Sequence, residues 1–350
     1  MYKKILIASL ALIAGLASCK KDDPTPSPNP PSGLTIDGVA STLEFYQLDT
    51  AHLSVAGVAK DAAAKAVWAV NGAKAAEGAT FDFTTAHPGK YEVTLTVDGK
   101  SAKHTYTVAP RFSEGAFLLN EGNFGNETGS LTYIHPSKKL VIDQAYYRVN
   151  GTKLGNVCQD LAFGNDQIYI LSQLGPKNGG EGLLTIARSN SLEKVKVYND
   201  EALAQSTPTH IAVLRDHIYI RTERDGILRG SSEGGFTPIT GTKKALKQRM
   251  AQIGERLFAL TSDSKVLMIQ GTQVVRELDL SPAKPSGIAV SHDGKLWVST
   301  TSPNAILKVD PTPDNFVALD THILDKSISA TGPQSWERTT SSAFFAHGDK

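Results

Sequence analysis

Apolar and polar residues alternate with a period of two over most of this chain, and Gly, Pro, Asn and Asp interrupt the alternation every few residues. That is the pattern of short antiparallel strands joined by tight turns. Over 34–110, Tyr91-Glu92-Val93-Thr94-Leu95-Thr96-Val97 alternates cleanly and is expected to pair with His104-Thr105-Tyr106-Thr107-Val108 through a hairpin at Asp98-Gly99-Lys100. Ala66-Val67-Trp68-Ala69-Val70 reads as a strand closed by Asn71-Gly72. About seven short strands around one Trp predict an immunoglobulin-like sandwich, with Trp68 in its core.

Beyond residue 111 a longer period appears. An apolar triplet, a polar turn and a second apolar strand containing an aromatic recur as a unit. The pairs are Leu161-Ala162-Phe163 with Ile168-Tyr169-Ile170, Ile211-Ala212-Val213 with Ile218-Tyr219-Ile220, Met250-Ala251-Gln252 with Leu257-Phe258-Ala259, and Ile288-Ala289-Val290 with Leu296-Trp297-Val298. Triplet starts are 50, 39 and 38 residues apart, and Ala343-Phe344-Phe345 begins another copy. A repeat near forty residues made of short strands predicts β-propeller blades, with each triplet lining the axis and the four aromatics buried between blades. Lys243 to Met250 reads as a short helical turn within a loop. The fold expected is all-β, a sandwich followed by a propeller of seven-bladed type. Phe117-Leu118-Leu119 aligns with the second strand of the repeat, and 111–350 supplies about five and a half copies, so either the sequence is a C-terminally incomplete fragment or the ring is open; a fragment is the expectation, because an open propeller exposes two bare sheet edges.

The first 33 residues do not fit either pattern. Lys3 and Lys4 precede twelve uncharged residues, Ile5 to Leu16, too few to span a bilayer and suited to a secretory signal. Leu16-Ala17-Ser18-Cys19 resembles a bacterial lipobox, which implies a signal peptide over 1–18 and lipidation of Cys19. Lys20-Lys21-Asp22-Asp23 resembles a surface-export signal of Bacteroidetes lipoproteins. Five prolines within 24–33 make a stiff tether. The expected location is therefore the outer membrane, held by lipid and exposed at the cell surface. With 36 basic and 35 acidic residues the net charge is +1, which removes the electrostatic basis for nucleic-acid binding. If Cys19 is lipidated, Cys158 has no partner for an internal disulfide.

Pro88-Gly89-Lys90-Tyr91-Glu92-Val93 resembles a segment of polycystic-kidney-disease-type Ig-like modules, which gives Tyr91 a structural role at a sheet corner. Phe117 to Gly125, Gly129-Ser130-Leu131-Thr132-Tyr133, Asn150 to Asn156 and Gln159 resemble the start of the DUF5074, YncE-like propeller lipoproteins of Bacteroidetes. That resemblance implies an architecture similar to surface propellers that capture cobalamin, with a small-molecule ligand and a TonB-dependent outer-membrane transporter as partner. No nucleotide-binding, zinc-protease or serine-hydrolase motif occurs, and no cofactor or metal site is expected. Propeller geometry nominates loop residues at one mouth of the channel: Glu121, Gln159, Gln173, Thr209, His210, Arg249, Ser286 and Trp336, with Glu223 and Thr301 beside them. The expectation is a non-catalytic binding lipoprotein; the alternatives are a cell-surface adhesion or scaffold protein and, behind it, a propeller enzyme.

Overall fold

The computed structural model describes residues 33–39, 44–325 and 344–346. Cys19, the signal segment, the tether and Trp336 lie outside the described residues. The described chain is almost entirely β, and none of its helices is long and apolar enough to cross a membrane.

The N-terminal strands form two sheets. One orders Thr35–Asp37, Thr50–Ala56 and Thr80–Thr84. The other orders Phe45–Tyr46, Lys100–Ala109, Gly89–Val97, Val67–Val70 and Ala73–Glu77. Both predicted turns are two residues long with positive φ throughout: Asn71 at 48° and Gly72 at 80°, Asp98 at 48° and Gly99 at 76°. That is the twist that lets a two-residue loop join antiparallel strands.

Contacts divide the chain into two compact units. One contains 53–81 and 93–104 with 33–39; the other contains 44–52, 82–92, 105–325 and 344–346. In the first, Trp68 is fully buried against Phe81 and its Nε1 donates to the Gly78 carbonyl at 2.9 Å. In the second, Tyr91 donates from its hydroxyl to the His87 carbonyl at 3.0 Å. Here Gln47, with no exposed surface, donates from Nε2 to the carbonyls of Ala86 and Ser191.

Five antiparallel sheets follow in chain order. Blade 1 has three strands, Ala116–Asn120, Ser130–His135 and Leu140–Ile142. Blade 2 has four, Asn156–Gly164, Gln167–Gly175, Leu184–Arg188 and Lys194–Tyr198. Blades 3, 4 and 5 repeat that order from Pro208–Leu214, Ala251–Ile253 and Pro285–Val290, each strand being innermost in its sheet. The repeat holds to the residue: Ala162 pairs with Tyr169, Ala212 with Tyr219, Ala251 with Phe258 and Ala289 with Trp297. A small residue on the crowded inner strand thus stands opposite an aromatic in every four-stranded blade.

Strand alternation then decides where each core lies. Ile168 and Ile170 pack toward Tyr133 and Leu131 of blade 1, while Tyr169 and Leu171 pack toward Ile211 and Ile218 of blade 3. The same division places Tyr219 against blade 4 and Phe258 against blade 5. Each core is therefore shared by two consecutive sheets. Tyr169, Tyr219 and Phe258 are almost fully buried as expected. Trp297 is only half-buried: its ring stacks on His322 with Lys308 over it, and its Nε1 donates to Ser291 Oγ at 2.8 Å. The segment 243–250 also differs from expectation: it runs as turns and extended chain, with Ala245 bridged to Thr261, and is not helical.

Candidate functional site

The inner strands of blades 2, 3 and 5, the approach to blade 4 and residues 344–346 surround a cavity of about 590 Å³. The irregular segment before blade 4 supplies Lys247, Gln248 and Arg249 to it. Blades 2 and 3 supply Gln159, Asp160 and His210. Met250, Ala251, Ile288, Val290 and Phe345 make an apolar wall.

A bulge near the start of the inner strand decides which side chain reaches the cavity. Pairing skips Gln159 in blade 2, Thr209 in blade 3 and Ser286 in blade 5. A skipped residue shifts the following side chain onto the other face. Thr209 and Ser286 are consequently fully buried; Thr209 donates to the Arg221 carbonyl at 3.1 Å, and Ser286 Oγ lies 3.0 Å from Ser299 Oγ. The next residues, Asp160 and His210, line the cavity. In blade 5 that next residue is Gly287, where a Cβ would stand 2.9 Å from the Phe344 Cβ. The residue immediately before the apolar triplet thus lines the cavity in blades 2, 3 and 4, as Asp160, His210 and Arg249, and in blade 5 it is Gly287. Sequence reasoning named Gln159, His210 and Arg249, which line the cavity, and in blade 5 chose Ser286, which is buried inside the blade.

Asp160 and Arg249 form the central pair. Arg249 Nε donates to Asp160 Oδ1 at 2.9 Å, a terminal nitrogen of the same guanidinium lies 2.7 Å from that oxygen, and the Ile211 backbone N–H donates to Oδ2 at 3.1 Å. Asp160 is 2% exposed, whereas the Arg249 side chain is largely in solvent. Burial pushes the Asp160 carboxyl above its ordinary value, against the opposing pull of Arg249. His210 is pushed down to about 3 by burial first and then by Arg221, Arg249 and Lys247, so it is neutral at physiological pH. Its tautomer follows from its neighbours. Thr209 spends its one hydroxyl proton on the Arg221 carbonyl and accepts from Arg221 at 3.2 Å. His210 Nδ1, 3.2 Å from that hydroxyl oxygen, is therefore the protonated nitrogen, and Nε2 keeps its lone pair. Arg221 itself is buried, donating twice to the Ala245 carbonyl, with Glu223 at 3.7 Å. Glu223 is also 3.8 Å from Lys247.

Of the other predicted residues, Glu121 accepts from Gln159 Nε2 at 2.9 Å at the rim. Gln173 and Thr301 do not line the cavity. Asp160, Lys247 and Gln248 were missed. Gln248 is 7% exposed, and its Nε2 is buried without a hydrogen-bond partner. Among the described residues no group of three or more His, Cys, Asp or Glu is placed to hold a metal ion.

Two other hollows are less suited to a ligand. One, also about 590 Å³, lies over Trp297 on the outer face of blade 5, where Lys308 is already paired with Asp293 at 2.8 Å. The other, about 430 Å³, lies under the loop 120–130. There Asn156 is fully buried, accepting from the Gly125 N–H and donating to the Glu127 carbonyl. Gly129 leaves no room for a Cβ, which would stand 2.3 Å from Cys158 Sγ. This loop is a structural knot built from self-satisfied polar groups.

The sequence model of a family described as a domain of unknown function, DUF5074, matches residues 114–349. The chain belongs to the DUF5074 family. No curated protein matches it. Among solved structures, a quinonprotein alcohol dehydrogenase-like protein from Bacteroides thetaiotaomicron is 15% identical, with 87% of this chain and 74% of that chain covered and a TM-score of 0.53. Apo AztD from Citrobacter koseri is 13% identical over 78% of this chain and 83% of its own, at a TM-score of 0.37. Virginiamycin B lyase from Staphylococcus aureus is 14% identical over 79% and 89%, at 0.43. At such identities the first likeness speaks to fold alone, and the two weaker ones carry no argument. The site of this DUF5074 chain rests on its own residues.

Proposed function

We propose that this DUF5074 chain is a non-catalytic binding protein that captures a small molecule in the cavity bounded by the inner strands. One observation carries the reading: the residues preceding successive triplets, Asp160, His210 and Arg249, converge from three blades on one hollow with a polar and an apolar wall. Its volume, about 590 Å³, falls within the range of small-molecule pockets. The side chains suit recognition by hydrogen bonding, since His210 is neutral and Asp160 is held by Arg249. The lipobox-like Cys19 and the proline-rich tether support anchoring at the outer membrane, with the N-terminal sheets as an Ig-like spacer. On this reading the cargo, cobalamin-like nutrients being one class, passes to a TonB-dependent transporter.

The test is mass spectrometry of the full protein isolated from its native membrane. A molecule released on denaturation, and absent from a preparation carrying Ile288→Asp in the apolar wall, supports capture. Equal amounts in both preparations, or no molecule in either, sink the reading.

A further inference from the structure

Resting on the binding reading, the donor set identifies the chemistry of the ligand. We infer that the cavity takes an amphipathic molecule headed by an oxyanion, a carboxylate or a phosphate, carried on an apolar body.

A guanidinium has five N–H groups. Arg249 directs Nε and one terminal nitrogen to Asp160, and its remaining donors are on a side chain largely in solvent. Beside it, Gln248 lines the same cavity, and its Nε2 is buried without a hydrogen-bond partner. A buried donor left unmade is costly, so a native chain that keeps one usually has a partner for it in another state. Lys247 adds a third donor on the same wall. The acceptors are largely used. Asp160 is buried with both oxygens occupied, and Glu121 takes Gln159. Glu223 sits near Arg221 and Lys247. A cationic head would meet the lone pair of His210 Nε2 and would face Arg249 and Lys247. An anionic head would meet donors, in the paired geometry that arginine offers to planar or tetrahedral oxyanions. The facing wall, with Ile288, Val290, Met250 and Phe345, has nothing to offer a polar group and covers an apolar body.

The experiment uses the full chain and four probes with one ring system: 2-naphthoate, 2-naphthyl phosphate, 2-naphthol and 2-naphthylmethylammonium, titrated by calorimetry at neutral pH. Either anion or both should bind at least about tenfold tighter than the neutral and cationic probes, as expected for charge-assisted hydrogen bonds. The relative affinity of carboxylate and phosphate then distinguishes the two heads. Gln248→Leu should weaken the anions about tenfold and leave naphthol unchanged. It should also leave thermal stability equal or higher, because it removes an unpaired buried donor; a residue kept only for structure would lose stability instead. Arg249→Lys, which retains charge but not the fork, should separate the anions from naphthol in the same direction. Equal affinity across the four probes, or preference for the cation, overturns the ligand class while leaving the binding reading in place. Failure of every probe at about 1 mM also overturns the class; the native-membrane preparation then decides the binding reading separately.

Discussion

Removing Arg249 should expose the cost of burying Asp160. Breaking a buried ion pair from one side typically costs about 3–5 kcal/mol, because the other charge is left without compensation. Two features lower that figure here. The Arg249 side chain is largely in solvent, and Asp160 keeps the Ile211 N–H. Screening by water places the expected loss for Arg249→Gln nearer about 2 kcal/mol. The double variant Asp160→Asn/Arg249→Gln keeps an acceptor for Ile211 and no buried charge, so it should recover to within about 1 kcal/mol of the parent. The pH dependence has a definite sign. The Asp160 carboxyl is raised above its unfolded value by burial, and loss of Arg249 raises it further. Between the unfolded and folded values the folded state binds more protons, so stability falls as pH rises through that window. The Arg249→Gln penalty should therefore be smaller at pH 5 than at pH 8. Urea denaturation followed by circular dichroism at the two pH values measures both effects. A penalty under about 0.5 kcal/mol, or one that is independent of pH and not rescued by Asp160→Asn, would refute the reasoning.

Three further outcomes are expected. His210 is held neutral, with a folded value pushed down to about 3, so the unfolded state binds the extra proton below its ordinary value and stability is lost as pH falls. His210→Gln should remove up to about 2 kcal/mol of that acid loss at pH 5, and an unchanged stability–pH profile would contradict it. Gly155→Ala should cost more than about 2 kcal/mol, read from the urea midpoint, because the new Cβ would stand 2.1 Å from the Gly182 carbonyl oxygen and 2.3 Å from Ser172 Oγ. Cys19→Ala should leave an unprocessed precursor without lipid, seen by a mass shift in the membrane fraction; normal processing would remove the anchor from the proposal.

The blades were legible because the Ala–aromatic pair reports register directly: one residue of slip would put the aromatic on the wrong face. The two hairpin turns were legible for a similar reason, since Asn-Gly and Asp-Gly favour one twist. The site was only partly legible. Nothing in Cys158-Gln159-Asp160 announces that pairing skips the middle residue, which brings the buried Asp160 to the cavity beside Gln159. Ser286 was misjudged for the same reason, its hydroxyl turning toward Ser299 inside the blade. Lys247 and Gln248 were hidden because Leu246 and Met250 are spaced as a helical turn would space them, while the chain there bends without forming a helix.

Because the cavity is walled by residues from 159 to 346, its occupancy is a property of nearly the whole second unit. An occupant would act as a clasp across segments whose cores are otherwise shared only between neighbouring sheets. Stacks of that kind can fray one sheet at a time. A molecule bound only when the segments are assembled raises the free energy of every such opening by the same amount, set by its concentration relative to its dissociation constant. Loaded and empty protein would then differ in resistance to proteolysis along the length of the chain, far from any loop that touches the cargo.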